Sequence, residues 1–407
     1  MNKNIKLAVA GAVLALSATA NAGIIIPAGE WTLDINGNVN AFMNYTKFKG
    51  TSGDGGAGAL VSGRDQSQDT ATSINTGLLP AWLGFTGKTR QNDLDVEFTI
   101  SMQPNVSNNT ITGDGLTGGE FSAFGNRQTY VSFGDKSWGS IKLGKDLGIF
   151  ASDAILNDMT LLGVGAIGTG AGFAPGGATS GSVYNTTLGG IGSGYIYAAW
   201  KGQIAYTTPN FNGFQATVGL VNPNQAALNN LNQERPGLEG KASYSFSGDM
   251  LTGKVWVSGA TYDVTYNGAT GASYTASAAD IGANVNAGNI GVTGYYYKGE
   301  GVGTTFFGSQ GANGAGQKRD SDGGYIQATY VLPTKTKLGF AYGVSNLDQI
   351  AGDSNQVDKN DRITVGLYHP RTKHLNLVAE YGNIESKSIV GTKTEQQQGS
   401  LGAILFF

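Results

Sequence analysis

Two-residue alternation of apolar and polar side chains recurs along most of the sequence and limits what the chain can fold into. Between residues 93 and 103, for example, every even position is apolar and every odd position is polar. A helix would instead place residues three and four apart on one face, so this pattern predicts β-strands. Sixteen such segments can be identified, from 31–48 near the amino end to 396–407 at the carboxyl end.

The connections between these segments alternate between short and long. Residues 134–137 and 209–212 are short connections, whereas 105–125 and 147–200 are long ones. Outer-membrane barrels have short periplasmic turns and longer external loops, while a soluble sandwich gives no reason for such regularity. Strands of about 9–11 residues span a membrane, and a barrel of this size encloses an aqueous channel. The sequence therefore predicts an all-β fold, a transmembrane antiparallel β-barrel of 16 strands.

The composition excludes several other classes of protein. The chain has no Cys, which rules out a disulfide scaffold, a thiolate zinc site or an iron–sulfur cluster. A formal net charge of −3 gives no basic surface for nucleic acid, so no nucleic-acid partner is expected. The only histidines, His369 and His374, lie at one predicted turn, and no serine is marked as a nucleophile. We therefore predict no enzyme activity, no catalytic residues, no cofactor and no metal site.

The first 22 residues have the layout of a secretory signal peptide. Two lysines precede an apolar run at 7–16, and a small-x-small triplet ends at Ala22. The apolar run is shorter than the roughly 20 residues that a membrane-spanning helix needs. We expect cleavage after Ala22 and export of residues 23–407 as a single outer-membrane barrel domain.

The carboxyl terminus carries a second signal of export to the outer membrane. Alternate residues from Leu401 to Phe407 are apolar, and the last one is aromatic. This ending resembles the assembly signal of outer-membrane barrels. It implies that Phe407 is read by the barrel assembly machinery.

Four segments, in order along the chain, resemble the general porins of Gram-negative outer membranes, which are trimeric and sixteen-stranded. They are 83–87 (LGFTG), 126–133 with 138–145, 204–214 and 368–372. The resemblance implies a passive diffusion channel for ions and small hydrophilic solutes in the cell outer membrane. It also implies a homotrimer, surrounded by outer-membrane lipids, whose subunits meet around the first few strands and the closing strand. A substrate-specific channel and a non-channel surface barrel such as an adhesin are the alternatives.

The long connection at 147–200 is the candidate constriction loop. It is far longer than loops without structure of their own usually are, and such loops are commonly functional. In the porins that the chain resembles, the third external loop folds into the barrel and narrows the channel. We expect the same of 147–200.

Five charged residues are candidates for the pore constriction. The loop carries Asp153 and Asp158 and no basic residue, while alternation directs Lys142 and Lys88 into the lumen. Lys145 lies where the strand gives way to the loop, so its direction is open. An acidic loop facing a basic wall can discriminate small ions by charge. Solvated loop and rim charges are the alternative interpretation.

Overall fold

The computed structural model describes residues 23–61, 69–104, 125–168, 186–222, 231–232, 235–266 and 272–407. The predicted signal peptide, 1–22, lies outside the described residues.

Sixteen strands form the wall of the barrel. Their bounds are Trp31–Lys49 (β1), Trp82–Gln91 (β2), Leu94–Gln103 (β3), Gly125–Asp135 (β4), Gly139–Leu147 (β5), Trp200–Thr207 (β6), Phe214–Val221 (β7), Gly237–Ser247 (β8), Thr252–Tyr266 (β9), Ser273–Ala287 (β10), Ile290–Glu300 (β11), Asp320–Val331 (β12), Lys337–Leu347 (β13), Val357–Pro370 (β14), Leu375–Ser388 (β15) and Lys393–Phe406 (β16).

The sheet is a closed ring in which each strand pairs antiparallel with its neighbour in the chain. β16 returns to β1, with Phe406 opposite Asn38 and Glu395 opposite Lys49. Closure leaves no open sheet edge in the lipid, where unpaired backbone groups would be costly. The predicted 16-strand barrel is confirmed, and the observed strand ends differ from the predicted ones by a few residues. Three short strands accompany the ring at Ile24–Ala28, Thr70–Asn75 and Leu231–Asn232.

The two faces of the strands differ as the alternation predicts for a membrane barrel. On the outside, large apolar side chains such as Val39, Ile281 and Leu401 are exposed. On the inside, polar side chains such as Asn44 and Gln398 are buried. A soluble sheet protein would bury its apolar face instead, so this inversion is typical of a barrel in lipid. Within the described residues, no helix is long and apolar enough to cross a bilayer.

An apolar core lies inside the barrel and fills one side of it. Described loop residues at 60–61, 149–161, 188–196 and 302–312 pack against inward-facing aromatic side chains of the wall. These aromatic residues are Trp256, Tyr262, Tyr274, Tyr295, Tyr297 and Tyr325, on β9 to β12. The inner faces of β11 to β16 are therefore covered by loop segments. Among the described residues, partly exposed inward-facing side chains belong mainly to β2–β8 and the periplasmic ends of β9 and β10.

Candidate functional site

The connection between β5 and β6 runs inside the barrel; we call residues 148–199 the inner loop, described at 148–168 and 186–199. It contains a short helix, α1 (Ser152–Leu156), and a 3-10 turn at Met159–Leu162. Ala151 precedes α1 with a φ of 58°, and its N–H donates to Oγ of Ser258 on β9 at 3.2 Å. A wall side chain therefore satisfies a helix-end donor that the loop leaves unpaired.

Glu239 of β8 anchors the start of the inner loop. Its Oε2 accepts the N–H groups of Ile149 at 2.6 Å and Phe150 at 2.9 Å. Its Oε1 accepts Lys201 Nζ at 2.8 Å and also the hydroxyl of Tyr262. Because Glu239 and Lys201 are both buried, each charge needs these partners, and removing one would leave the other uncompensated.

Asp153 of α1 bridges two wall lysines. Its Oδ2 lies 2.9 Å from Lys241 Nζ on β8, and its Oδ1 pairs with Lys254 on β9. Burial opposes ionisation of this carboxyl, but the two ammonium groups outweigh it, and the pKa of Asp153 is lowered. The arrangement corrects the expectation that Asp153 faces Lys142 and Lys88, because the loop leans on the opposite side of the barrel.

Asp158 joins two parts of the inner loop to β14. Its Oδ1 accepts the N–H of Thr160 at 2.9 Å, which caps the 3-10 turn. Its Oδ2 accepts the N–H of Gly190 and the hydroxyl of Tyr195, both at 2.9 Å, and lies 3.7 Å from Arg362 Nη2. The carboxylate is buried, so it too does not face the expected lysines across the channel. Burial beside the carboxylate raises the pKa of Tyr195, whose hydroxyl stays a donor.

Glu380 of β15 holds the middle of the inner loop. Its Oε2 accepts the N–H groups of Val164 and Gly165, each at 2.8 Å. Its Oε1 accepts the hydroxyl of Tyr368 at 2.7 Å. Two consecutive loop donors on one carboxylate fix the loop backbone against the wall.

The opposite wall carries the two lysines that the alternation directs inward. Lys142 of β5 pairs with Asp146, and its Nζ lies 4.5 Å from the ring centroid of Tyr130. Lys88 of β2 lies 3.2 Å from Glu97 Oε2. Both lysines are in the lumen, on the side that the inner loop leaves uncovered.

Lys145 lies on the other face of β5. It shares the outward parity of Ile141 and Leu143, and its Nζ donates to the backbone carbonyl of Asn126 at 2.8 Å. Its inclusion among the constriction residues is corrected, since extended strand geometry up to Leu147 turns this side chain away from the lumen.

In four lysine–carboxylate pairs of the lumen, the lysine is more exposed than its carboxylate. Lys88 exposes 59 % of its side chain against 29 % for Glu97, and Lys142 exposes 34 % against 12 % for Asp146. Lys241 and Lys254 expose 21 % and 24 %, against 1 % for Asp153. In these pairs the ammonium groups are therefore more accessible from the lumen than the carboxylates.

The alternation could have identified more of these residues than it did. Glu239, Lys241 and Lys254 occupy inward positions between apolar outward ones, as do Arg362 and Glu380. The sequence does not show which of these wall residues contacts which residue of the inner loop.

Among the described residues, no group of three or more His, Asp or Glu is arranged to hold a metal ion.

Comparison with known proteins gives a family and a fold. Residues 7–388 match the sequence profile of the family described as Gram-negative porin. No curated protein sequence matches significantly.

Several solved structures share the architecture at low sequence identity. The outer membrane channel DcaP of Acinetobacter baumannii is similar with a TM-score of 0.65 and 15 % identity, over 94 % of this chain and 99 % of that one. An anion-selective porin from Comamonas acidovorans gives 0.62 and 15 %, over 93 % and 100 %. The trimer form of OmpT from Vibrio cholerae gives 0.55 and 13 %, over 93 % and 99 %. At these identities, the likeness establishes the barrel fold.

Proposed function

Because the chain belongs to the Gram-negative porins, channel proteins of the outer membrane that pass small solutes, we propose that its passage runs between the inner loop and the inner faces of β2 to β8. The anchors at Glu239, Asp158 and Glu380 support this proposal, since they hold the loop against β8–β15. Side chains on the other side of the lumen keep partial exposure. In this arrangement Asp153 and Asp158 position the constriction loop, while Lys142 and Lys88 border the passage.

The same channel should favour small anions over cations. The observation that supports this is the greater exposure of the lysine in the four lysine pairs described above, most clearly in Lys241 and Lys254 around the buried Asp153. Partly exposed charges lining a narrow aqueous path bias the local ion concentration by sign. Weak selectivity is expected, because each lysine keeps a carboxylate partner nearby.

The functional unit is proposed to be a homotrimer. The resemblance to trimeric general porins supports it, as does the trimer form of one structural relative. The surrounding partners would be outer-membrane lipids.

Phe407 is proposed to be the assembly signal that the barrel assembly machinery reads. Its backbone N–H and carbonyl exchange hydrogen bonds with Gly37 of β1, at 3.0 and 2.8 Å. Its ring covers Gly37 on the outer face, where an added Cβ would lie 3.0 Å from the ring's Cζ. The residue thus sits at the seam that closes the barrel.

Conductance in planar bilayers tests the channel and its selectivity together. Purified protein should insert with conductance steps in groups of three, and a KCl gradient should give a reversal potential of anion-preferring sign. Lys142→Gln and Lys254→Gln should each reduce that preference. Lys145→Gln is the matched control, since the same charge is removed from the outer face. If all three variants shift the potential equally, net charge rather than the lumen lysines sets it, and the proposed passage is wrong.

A further inference from the structure

A groove of about 640 Å³ lies on the outer surface of the barrel, across β8 to β11. Its floor is made by the small residues Ala242, Ala283 and Gly294, and Tyr244, Ile281 and Tyr296 border it. The volume falls within the range of roughly 300–1,000 Å³ that is usual for small-molecule sites.

The strand register explains why the surface is hollow at this place. Ala283 pairs with Gly294, so two small outward residues lie side by side, and Val255 is the next residue in that row. In the adjacent outward row, Ile281 pairs with Tyr296. A Cβ added to Gly294 would meet no atom within 4 Å, so the hollow above it is open to the surroundings.

The height of the groove places it in one leaflet. Ala283 and Gly294 are each four residues from the periplasmic end of their strand, at Ala287 and Ile290. Four residues span about 13 Å along a strand, or about 9 Å of depth at the usual 45° tilt. Half of the hydrocarbon core is about 15 Å thick, so the groove opens into its periplasmic half.

We propose that this groove holds one acyl chain of a phospholipid from the periplasmic leaflet in a fixed position. The groove is apolar and lies in the hydrocarbon, so water does not fill it, and an empty hollow would forfeit dispersion contacts along its lining. An acyl chain is the slender apolar group that the surrounding leaflet supplies. The bordering aromatic rings then restrain that chain more than the convex outer surface restrains other lipids.

The proposal can be tested by filling the groove. Gly294→Phe occupies the hollow with a side chain, and Val365→Phe is the matched control. Val365 is an outward residue of β14 and is 50 % exposed, and β14 is not among the strands at which the proposed trimer subunits meet. Folding of each variant is checked by its heat-dependent mobility on gels. Each protein is reconstituted in vesicles of phosphatidylethanolamine and phosphatidylglycerol with a trace of acyl-chain spin-labelled phosphatidylethanolamine.

Electron paramagnetic resonance then counts the immobilised lipids per chain. The wild type and Val365→Phe should give the same number, and Gly294→Phe should give one fewer. Equal numbers in all three would overturn the proposal. A photoreactive benzoylphenylalanine in place of Tyr296, at the border of the groove, identifies the molecule that occupies it. A phospholipid adduct several times more abundant than with the same probe at Val365 supports an acyl chain, whereas an adduct with a second copy of the chain contradicts it.

Discussion

Replacing Asp153 by Asn should make the channel more selective for anions. The carboxylate is buried between Lys241 and Lys254, and both lysines are partly exposed to the lumen. The substitution therefore raises the local net charge by one, because it removes a negative charge, and it keeps the size of the side chain. Destabilisation should stay below the about 3–5 kcal/mol typical of breaking a fully buried pair, since both ammonium groups can hydrate.

The size of the effect follows from the charge alone. A unit charge about 8 Å from the ion path changes its energy by about 0.5 kcal/mol in water, with opposite signs for anions and cations. The anion-to-cation permeability ratio then changes by about 1 kcal/mol, or roughly five-fold, in the unscreened limit. At 0.1 M salt, where the Debye length is about 10 Å, screening lowers this to about two-fold.

The assay is the reversal potential of many inserted channels in a KCl gradient at two mean salt concentrations. Asp361→Asn is the matched control, because Asp361 pairs with Lys359 on the outward face of β14. An unchanged potential in the Asp153 variant, or an equal shift in the Asp361 variant, would refute the assigned electrostatic role of Asp153.

The same variant gives a pH prediction with a definite sign. The pKa of Asp153 is lowered from its usual 3.8, so its ion pairs stabilise the fold above the unfolded-state pKa and are lost as pH falls through the folded value. Wild type and Asp153→Asn should therefore differ in reversal potential by a constant amount between pH 7 and 5. The difference should persist at pH 3.8 and shrink towards zero only at lower pH, as the pH falls through the lowered folded-state pKa.

Three further substitutions test the loop anchors and the seam. Arg362→Met should lower unfolding stability in urea by about 3–5 kcal/mol because Asp158 is left buried without its cation, and adding Asp158→Asn should recover part of the loss. Glu380→Gln should loosen the inner loop by about 1–3 kcal/mol and increase open-channel noise, whereas Glu385→Gln on the outer face should leave the noise unchanged. Phe407→Ala should reduce the heat-modifiable, membrane-inserted fraction in cells, and a normal inserted fraction would contradict an assembly role.

Strand number and side-chain direction were predictable because both depend on local alternation. Lys142 and Lys88 were correctly directed inward from their neighbours alone, and β16 was identified by the pattern leading to Phe407. Among the candidate lysines, the predicted side-chain direction was ambiguous only at Lys145, which lies near the predicted end of its strand. There the sequence does not say how far extended geometry continues, and β5 reaches Leu147.

The position of the inner loop was decided by contacts between distant residues. Asp153 and Asp158 were identified as charged loop residues, but their partners, Lys241, Lys254 and Arg362, lie on strands far along the chain. Residues of a long loop have no strand pairing, so the sequence does not indicate which strands of the wall they contact.

The sequence by itself determined a closed 16-strand barrel with a polar lumen, because alternation of period two is a property of each strand and needs no knowledge of its neighbours. Only the tertiary structure decided which side of that lumen is covered. Bonds such as Glu239 to Ile149 and Glu380 to Val164 join residues 90 and 216 positions apart. Such pairings depend on how the closed ring brings strands around the loop, and this geometry exists only once the barrel is complete.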